Sequence, residues 1–162
     1  MKYFYKIKNN ELIIGTGYKI PDGFIEYDRD NPPQDFLDLL KKENLENAKK
    51  QKTKELNNIR NKKLKNLKVK FILQDGQEAE FDADEISQTR LARAISALKD
   101  SEKIAWIGAD YKVYKLTKED CLSGLRIAGE LQTKLFAKCA ELKAKILQAQ
   151  TEEEIEAVKW EG

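Results

Sequence analysis

Between Thr117 and Ala149 the chain has no proline, and Leu122, Leu125, Ala128, Leu135, Cys139, Leu142 and Ile146 recur at spacings of three, four or seven. That period is the seam of an amphipathic helix, and Leu131, Phe136 and Leu147 widen it toward a core-facing stripe. At about 1.5 Å of rise per residue the helix runs on the order of 48 Å. A helix of that length needs other elements laid along it, so the rest of the sequence is read for what it supplies.

Immediately upstream it supplies a hairpin and a shorter helix. Lys68 to Gln74 is a strand pattern, Asp75-Gly76 reads as a two-residue turn, and Gln77 to Phe81 returns. Val69, Phe71 and Leu73 then share a face with Ala79 and Phe81 across the pair. Asp82 and Glu85 form a capping-box signature for a helix that puts Ile86, Leu91, Ala94, Ile95 and Leu98 on one side. Trp106 to Leu116 is either a second hairpin or one hooked strand. Thr117 and Asp120 cap the long helix. Thr151 and Glu154 repeat the signature before a short turn carrying Ile155, Val158 and Trp160. Trp160 reads as a hydrophobic lid, with ligand stacking as the other reading. Gly124 and Gly129, inside the long helix, imply close approach of another backbone.

The first third of the chain is different. Tyr3 to Lys8 and Leu12 to Ile14 read as two short strands joined by the turn Asn9-Asn10, and Phe24 to Tyr27 as a third. Gly15 and Gly17 are expected to loosen the chain between them. Gly15-Thr16-Gly17 lacks the further glycines and the lysine–hydroxyl pair of a phosphate loop. Asn31-Pro32-Pro33 resists helix and ladder alike and marks a linker. From Asp35 to Leu67 the residues are strong helix formers, capped by Asn31 or Asp35. Leu45, Lys52 and Ile59 stand seven apart, but Lys52 spoils a strict heptad. The expected organisation is therefore α+β. A small N-terminal β segment spans residues 1–33 and a long lysine-rich helix spans 34–67. A compact unit of short antiparallel strands packed on the long amphipathic helix spans 68–162.

Composition narrows the chemistry. The net charge is only +2, yet Lys41 to Lys70 holds twelve Lys or Arg against three Glu. Such a stretch is a solvated helix face, a loose coiled coil forming a homo-oligomer through residues 35–67, a semi-rigid spacer, or a nucleic-acid contact. The last is disfavoured because Arg60 is its one arginine and no base-reading motif accompanies it. There is no histidine, which removes imidazole catalysis and histidine metal ligation. Cys121 and Cys139 lie too far apart on one helix to pair, and neither has an imidazole base. Asp82, Asp84 and Glu85 fit helix capping better than a calcium loop. Glu152, Glu153 and Glu154 suit a helix N-terminus on dipole grounds. The expectation is a protein that is not an enzyme, with no cofactor, no metal, no catalytic residue and no membrane span. The start, Met1-Lys2-Tyr3-Phe4-Tyr5-Lys6, is not a signal peptide.

The second half also resembles a known family, through an ordered set of signals. Phe81-Asp82-Ala83-Asp84 precedes Ser87-Gln88-Thr89-Arg90-Leu91. Trp106 precedes Tyr111-Lys112-Val113-Tyr114-Lys115-Leu116-Thr117. Phe136, Ala137, Lys138, Cys139, Leu142, Lys143 and Ile146 follow, and Thr151 to Ile155 with Trp160 close the chain. From about Leu67 to Trp160 this resembles a small domain of unknown function found in phage and prophage tail proteins, often encoded beside tail fibres. The resemblance implies a noncatalytic tail or tail-fibre-associated structural protein, or else a tail-fibre assembly chaperone. Its partners would be other tail or tail-fibre proteins. It would be made in the bacterial host cytoplasm and, in the first case, carried in the virion tail.

Overall fold

The computed structural model describes residues 1–9 and 11–161. Asn10, half of the expected Asn9-Asn10 turn, lies outside the described residues. In chain order the elements are β1 (Lys2–Lys8), β2 (Glu11–Gly17), β3 (Ile25–Tyr27), α1 (Gln34–Lys65), β4 (Lys68–Ile72) and β5 (Glu78–Asp82). They continue as α2 (Glu85–Ala97), β6 (Ile104–Ile107), β7 (Val113–Leu116), α3 (Lys118–Gln148) and α4 (Glu152–Ala157). This is the α+β architecture expected: an N-terminal sheet, a long helix, then short antiparallel strands on a second long helix. By their contacts the residues form two compact units. One is Met1–Thr53 with Ile146–Val158; the other is Lys54–Lys145 with the residues from Lys159 onward.

In the first unit three antiparallel strands order as β2-β1-β3, with Tyr5 opposite Ile14 on one side and Ile25 on the other. The two glycines expected to loosen the chain are instead inside β2. Gly15 pairs with Phe4, and a Cβ on Gly15 would sit within 2.9 Å of the Phe4 ring's Cζ and closer still to its Cε2. Glycine there makes room for a buried ring rather than slack. The opposite face of β1 places Tyr5 edge-on to Phe36 at 5.1 Å, and Tyr27 stacks on Phe36 at 4.6 Å. Such ring pairs add roughly 0.5–1.5 kcal/mol each beyond their burial.

Neither Asn31 nor Asp35 caps α1. The helix starts at Gln34, so Pro33 holds the cap position, and the Leu37 amide bonds its carbonyl. Asp35 lies one residue inside, and its carboxylate accepts from the Tyr5 hydroxyl. Lys52, the residue that broke the heptad, is buried on α1, with its ammonium 3.6 Å from Glu156. Its aliphatic stem fills the apolar position while its head reaches a carboxylate.

The second unit repeats one pattern, a hairpin followed by a helix. β4 pairs with β5 and leads to α2; β6 pairs with β7 and leads to α3. Residues 104–116 thus form a second hairpin, not a hooked strand, and Tyr111 belongs to its turn rather than to a strand. Both hairpins close over three residues. Leu73 donates to Gln77 at 2.8 Å around Gln74-Asp75-Gly76, so the first turn is one residue longer than Asp75-Gly76 suggested. Gly108 donates to Lys112, also at 2.8 Å, around Ala109-Asp110-Tyr111. In each loop the third residue takes a positive φ, +87° at Gly76 and +64° at Tyr111. In each the central aspartate accepts the amide two residues on. A left-handed third residue lets a three-residue loop close without splaying the strands.

The core of this unit is one cluster. Val69 and Phe81 face each other across the first hairpin, Phe81 meets Tyr114 of the second edge-on at 5.5 Å, and Leu91, Leu116, Cys121 and Ala128 close around them. Gly124 touches this cluster: a Cβ there would come within 3.3 Å of the Phe71 ring. It accommodates a side chain, not the backbone expected. Gly129 has open space beside it and needs no such reason.

Candidate functional site

The acids that the sequence set aside as caps do form caps, though not all as expected. Asp84, not Asp82, caps α2 by accepting the Ser87 amide at 2.7 Å. Asp82 is the last residue of β5 and pairs with Lys68, which leaves it outside the cap geometry. Thr117 and Asp120 form the expected reciprocal box. The Asp120 carboxylate takes the Thr117 amide and hydroxyl at 2.9 and 2.7 Å, and Thr117 Oγ1 takes the Asp120 amide at 3.1 Å. The other oxygen of Asp120 accepts the Gln74 amide at 2.9 Å. One buried carboxylate thus fastens the tip of the first hairpin to the start of α3. At α4, Thr151 accepts the Glu154 amide at 3.2 Å, and Glu154 reaches back to the Gln150 amide at 2.6 Å.

The remaining titratable groups are similarly occupied. Partial burial pushes the Asp110 carboxyl up, but hydrogen bonds from the Lys112 and Tyr114 side chains and the Lys112 amide outweigh it and hold the group at about 2. Burial, with the neighbouring Asp120 carboxylate, pushes the Cys121 thiol up to about 11. That is the opposite of what a nucleophile needs. Cys139 is buried too, its sulfur 4.0 Å from the Leu56 carbonyl. Gly15-Thr16-Gly17 is strand backbone, which no phosphate loop is. Among the described residues no group of three or more acids or cysteines is placed to hold a metal ion.

What the fold assembles instead is a groove in the second unit, with a volume of about 770 Å³. The end of α1 contributes Ile59, Lys62 and Lys63, the link after it contributes Leu67, and the start of β4 contributes Lys68. The middle of α3 contributes Leu131, Lys134, Leu135 and Lys138. Ile59 and Lys62–Lys63 stand three and four apart on one helix, as do Leu131, Lys134 and Leu135 on the other. Each helix therefore shows the groove an aliphatic residue flanked by lysines. Trp160 stands half-buried at one end with Glu161 beside it. Trp160 is therefore a wall of an open groove rather than a lid. Sequence reasoning missed this site. Its local signal, Lys134-Leu135 followed by Lys138, was present but reads as an ordinary solvated face until α1 is set beside it.

The basic stretch Lys41–Lys70 is divided between α1 and β4. Lys52 is buried, Lys68 and Lys70 belong to β4, and only Lys62, Lys63 and Lys68 border the groove.

A family profile described as a domain of unknown function, DUF4376, matches residues 47–159, more than two thirds of the chain. The chain belongs to the DUF4376 family. The family occurs in phage and prophage tail and tail-fibre proteins. The DUF4376 match starts inside α1, some twenty residues before the resemblance seen in the sequence, and so takes in both helices that wall the groove. It ends one residue before Trp160. Searches of curated proteins and of solved structures gave no match. Among the described residues no helix is long and apolar enough to cross a membrane.

Proposed function

We propose that this DUF4376 chain is a noncatalytic, tail-fibre-associated structural protein of a phage or prophage tail, holding a segment of another tail protein in the groove between α1 and α3. The observation that carries the reading is the groove itself, an aliphatic floor edged by lysines with no reactive side chain in it. The cysteines are covered, and Asp84, Asp110, Asp120 and Glu154 serve turns and helix starts. Association with tail and tail-fibre proteins is what the family carries. Self-association through residues 35–67 is not part of the reading, because Leu56 of α1 is already fully covered by the chain's own residues.

The test is to purify particles from an induced prophage and look for the chain in them. A stoichiometric amount in intact tails is expected. Presence with fibre intermediates but not in finished particles would make it an assembly chaperone. Absence from both would overturn the proposal.

A further inference from the structure

We infer that the groove receives an acidic amphipathic helix from its partner. The helix would lay an aliphatic stripe on Ile59, Leu67, Leu131 and Leu135 and set its carboxylates against the bordering lysines. This rests on the tail-associated reading above and names the chemistry of the partner.

Three observations converge on that occupant. The first is charge. Lys62, Lys68, Lys134 and Lys138 border the groove, and among the described residues that line it Glu161 is the one carboxylate. Lys138 leans on Glu141 at 3.9 Å, a pair exposed enough to exchange for a partner's acid. An acid-flanked segment is attracted and a basic one repelled.

The second is shape. The lining takes Ile59, Lys62 and Lys63 from α1, Asn66 from just past its end, and residues from Leu131 to Lys138 on α3. The α3 stretch is about two helical turns, roughly 10 Å, long enough to lie along a partner helix of two to three turns.

The third is the chemistry of the lining. Four aliphatic side chains and one half-buried indole match leucine and isoleucine side chains. A nucleic-acid strand would instead favour several exposed rings for successive bases and guanidinium forks for its phosphates. The groove has one ring and no arginine.

The experiment uses the full chain and dye-labelled probes read by fluorescence anisotropy. The first probe is a peptide of about four turns with leucines at helical spacing and glutamates between them. The second has the same composition scrambled, the third has lysines in place of the glutamates, and the fourth is a single-stranded DNA of similar length. The acidic amphipathic peptide should bind with Kd in the micromolar range and weaken at least tenfold between about 50 and 500 mM salt. The combined change Lys62→Glu, Lys134→Glu and Lys138→Glu should weaken it at least tenfold further, and the matching Lys→Gln set by less. Lys115→Glu, on β7 and away from the groove, should change nothing. Thermal unfolding of each variant confirms that it is folded, and the Gln set carries the test if the Glu set is not.

Equal binding of the scrambled peptide, tighter binding of the DNA, or indifference to the lysine changes would each overturn the inference. So would no binding at about 1 mM peptide. A chain that is found in tails yet ignores the peptide overturns this inference alone. A chain that binds the peptide but is absent from tails and fibre intermediates overturns the functional reading instead.

Discussion

Tyr111 adopts the backbone conformation that Gly76 adopts at the matching place in the first hairpin. For a residue with a Cβ that conformation costs roughly 1–2 kcal/mol. Its ring is almost wholly exposed, so packing does not repay the cost. Tyr111→Asn, which tolerates the left-handed region, should raise stability by about 0.5–1 kcal/mol, measured by denaturant unfolding; an unchanged midpoint would mean the strain is relieved elsewhere. The neighbouring Asp110 makes a different prediction. Its carboxyl is held at about 2 in the fold against an ordinary 3.8. The charged form is therefore the one the fold favours. Its contribution is complete above the ordinary value and is lost as pH falls from about 4 toward 2. Melting temperature followed across that window should fall less steeply in Asp110→Asn than in the parent chain. Parallel slopes would show that the turn does not depend on this charge.

At the scale of elements, Asp120 links two of them. Asp120→Ala strands the Gln74 and Thr117 amides and should cost about 2–3 kcal/mol, against about 1 for Thr117→Ala, which removes the cap hydroxyl alone. Equal losses in urea unfolding would mean the Gln74 bond contributes nothing. This pair also shows what the sequence makes legible. A cap is made by residues three apart, so Thr117 with Asp120 and Thr151 with Glu154 could be read directly. Where two aspartates stand close together, as Asp82 and Asp84 do, local spacing does not choose between them; the register of β5 does, because Asp82 is still paired with Lys68. The α3 seam was legible in period but not in width. Cys121, Ala128, Cys139, Leu142 and Ile146 are buried, whereas Leu122 and Leu147, each about 100° around the helix from a buried neighbour, face solvent, as does Phe136 beside the half-buried Leu135. Phe136 finds cover of another kind, with the Arg60 guanidinium 4.9 Å above its ring. The groove was not legible at all. Its walls come from residues some seventy positions apart, and each wall alone looks like a surface.

For the whole molecule, a long helix with thin apolar content leaves two readings, self-association through residues 35–67 or a semi-rigid spacer. Leu56 is fully buried and Lys52 nearly so, which leaves α1 without an unoccupied apolar seam there. The chain should therefore sediment as a monomer at micromolar concentration. A mass that rises with concentration would show that the lysine-rich outer face associates after all. A uniform charge stripe would bind polyanions without discrimination. Here one lysine of the basic stretch is buried and two lie on a strand, while Lys41, Lys42, Lys50, Lys54, Lys62 and Lys65 stay exposed along α1.

The shared anchoring of the first hairpin by Asp120 bears on how the protein can be handled. An epitope or fluorescent tag inserted between Gln74 and Gly76 would pull the Gln74 amide off its carboxylate and disturb the start of α3 with it. The segment 99–103 between α2 and β6 is exposed and meets α3 through a surface ion pair, Asp100 with Lys118 at 3.5 Å, so it is there that a label can be spliced.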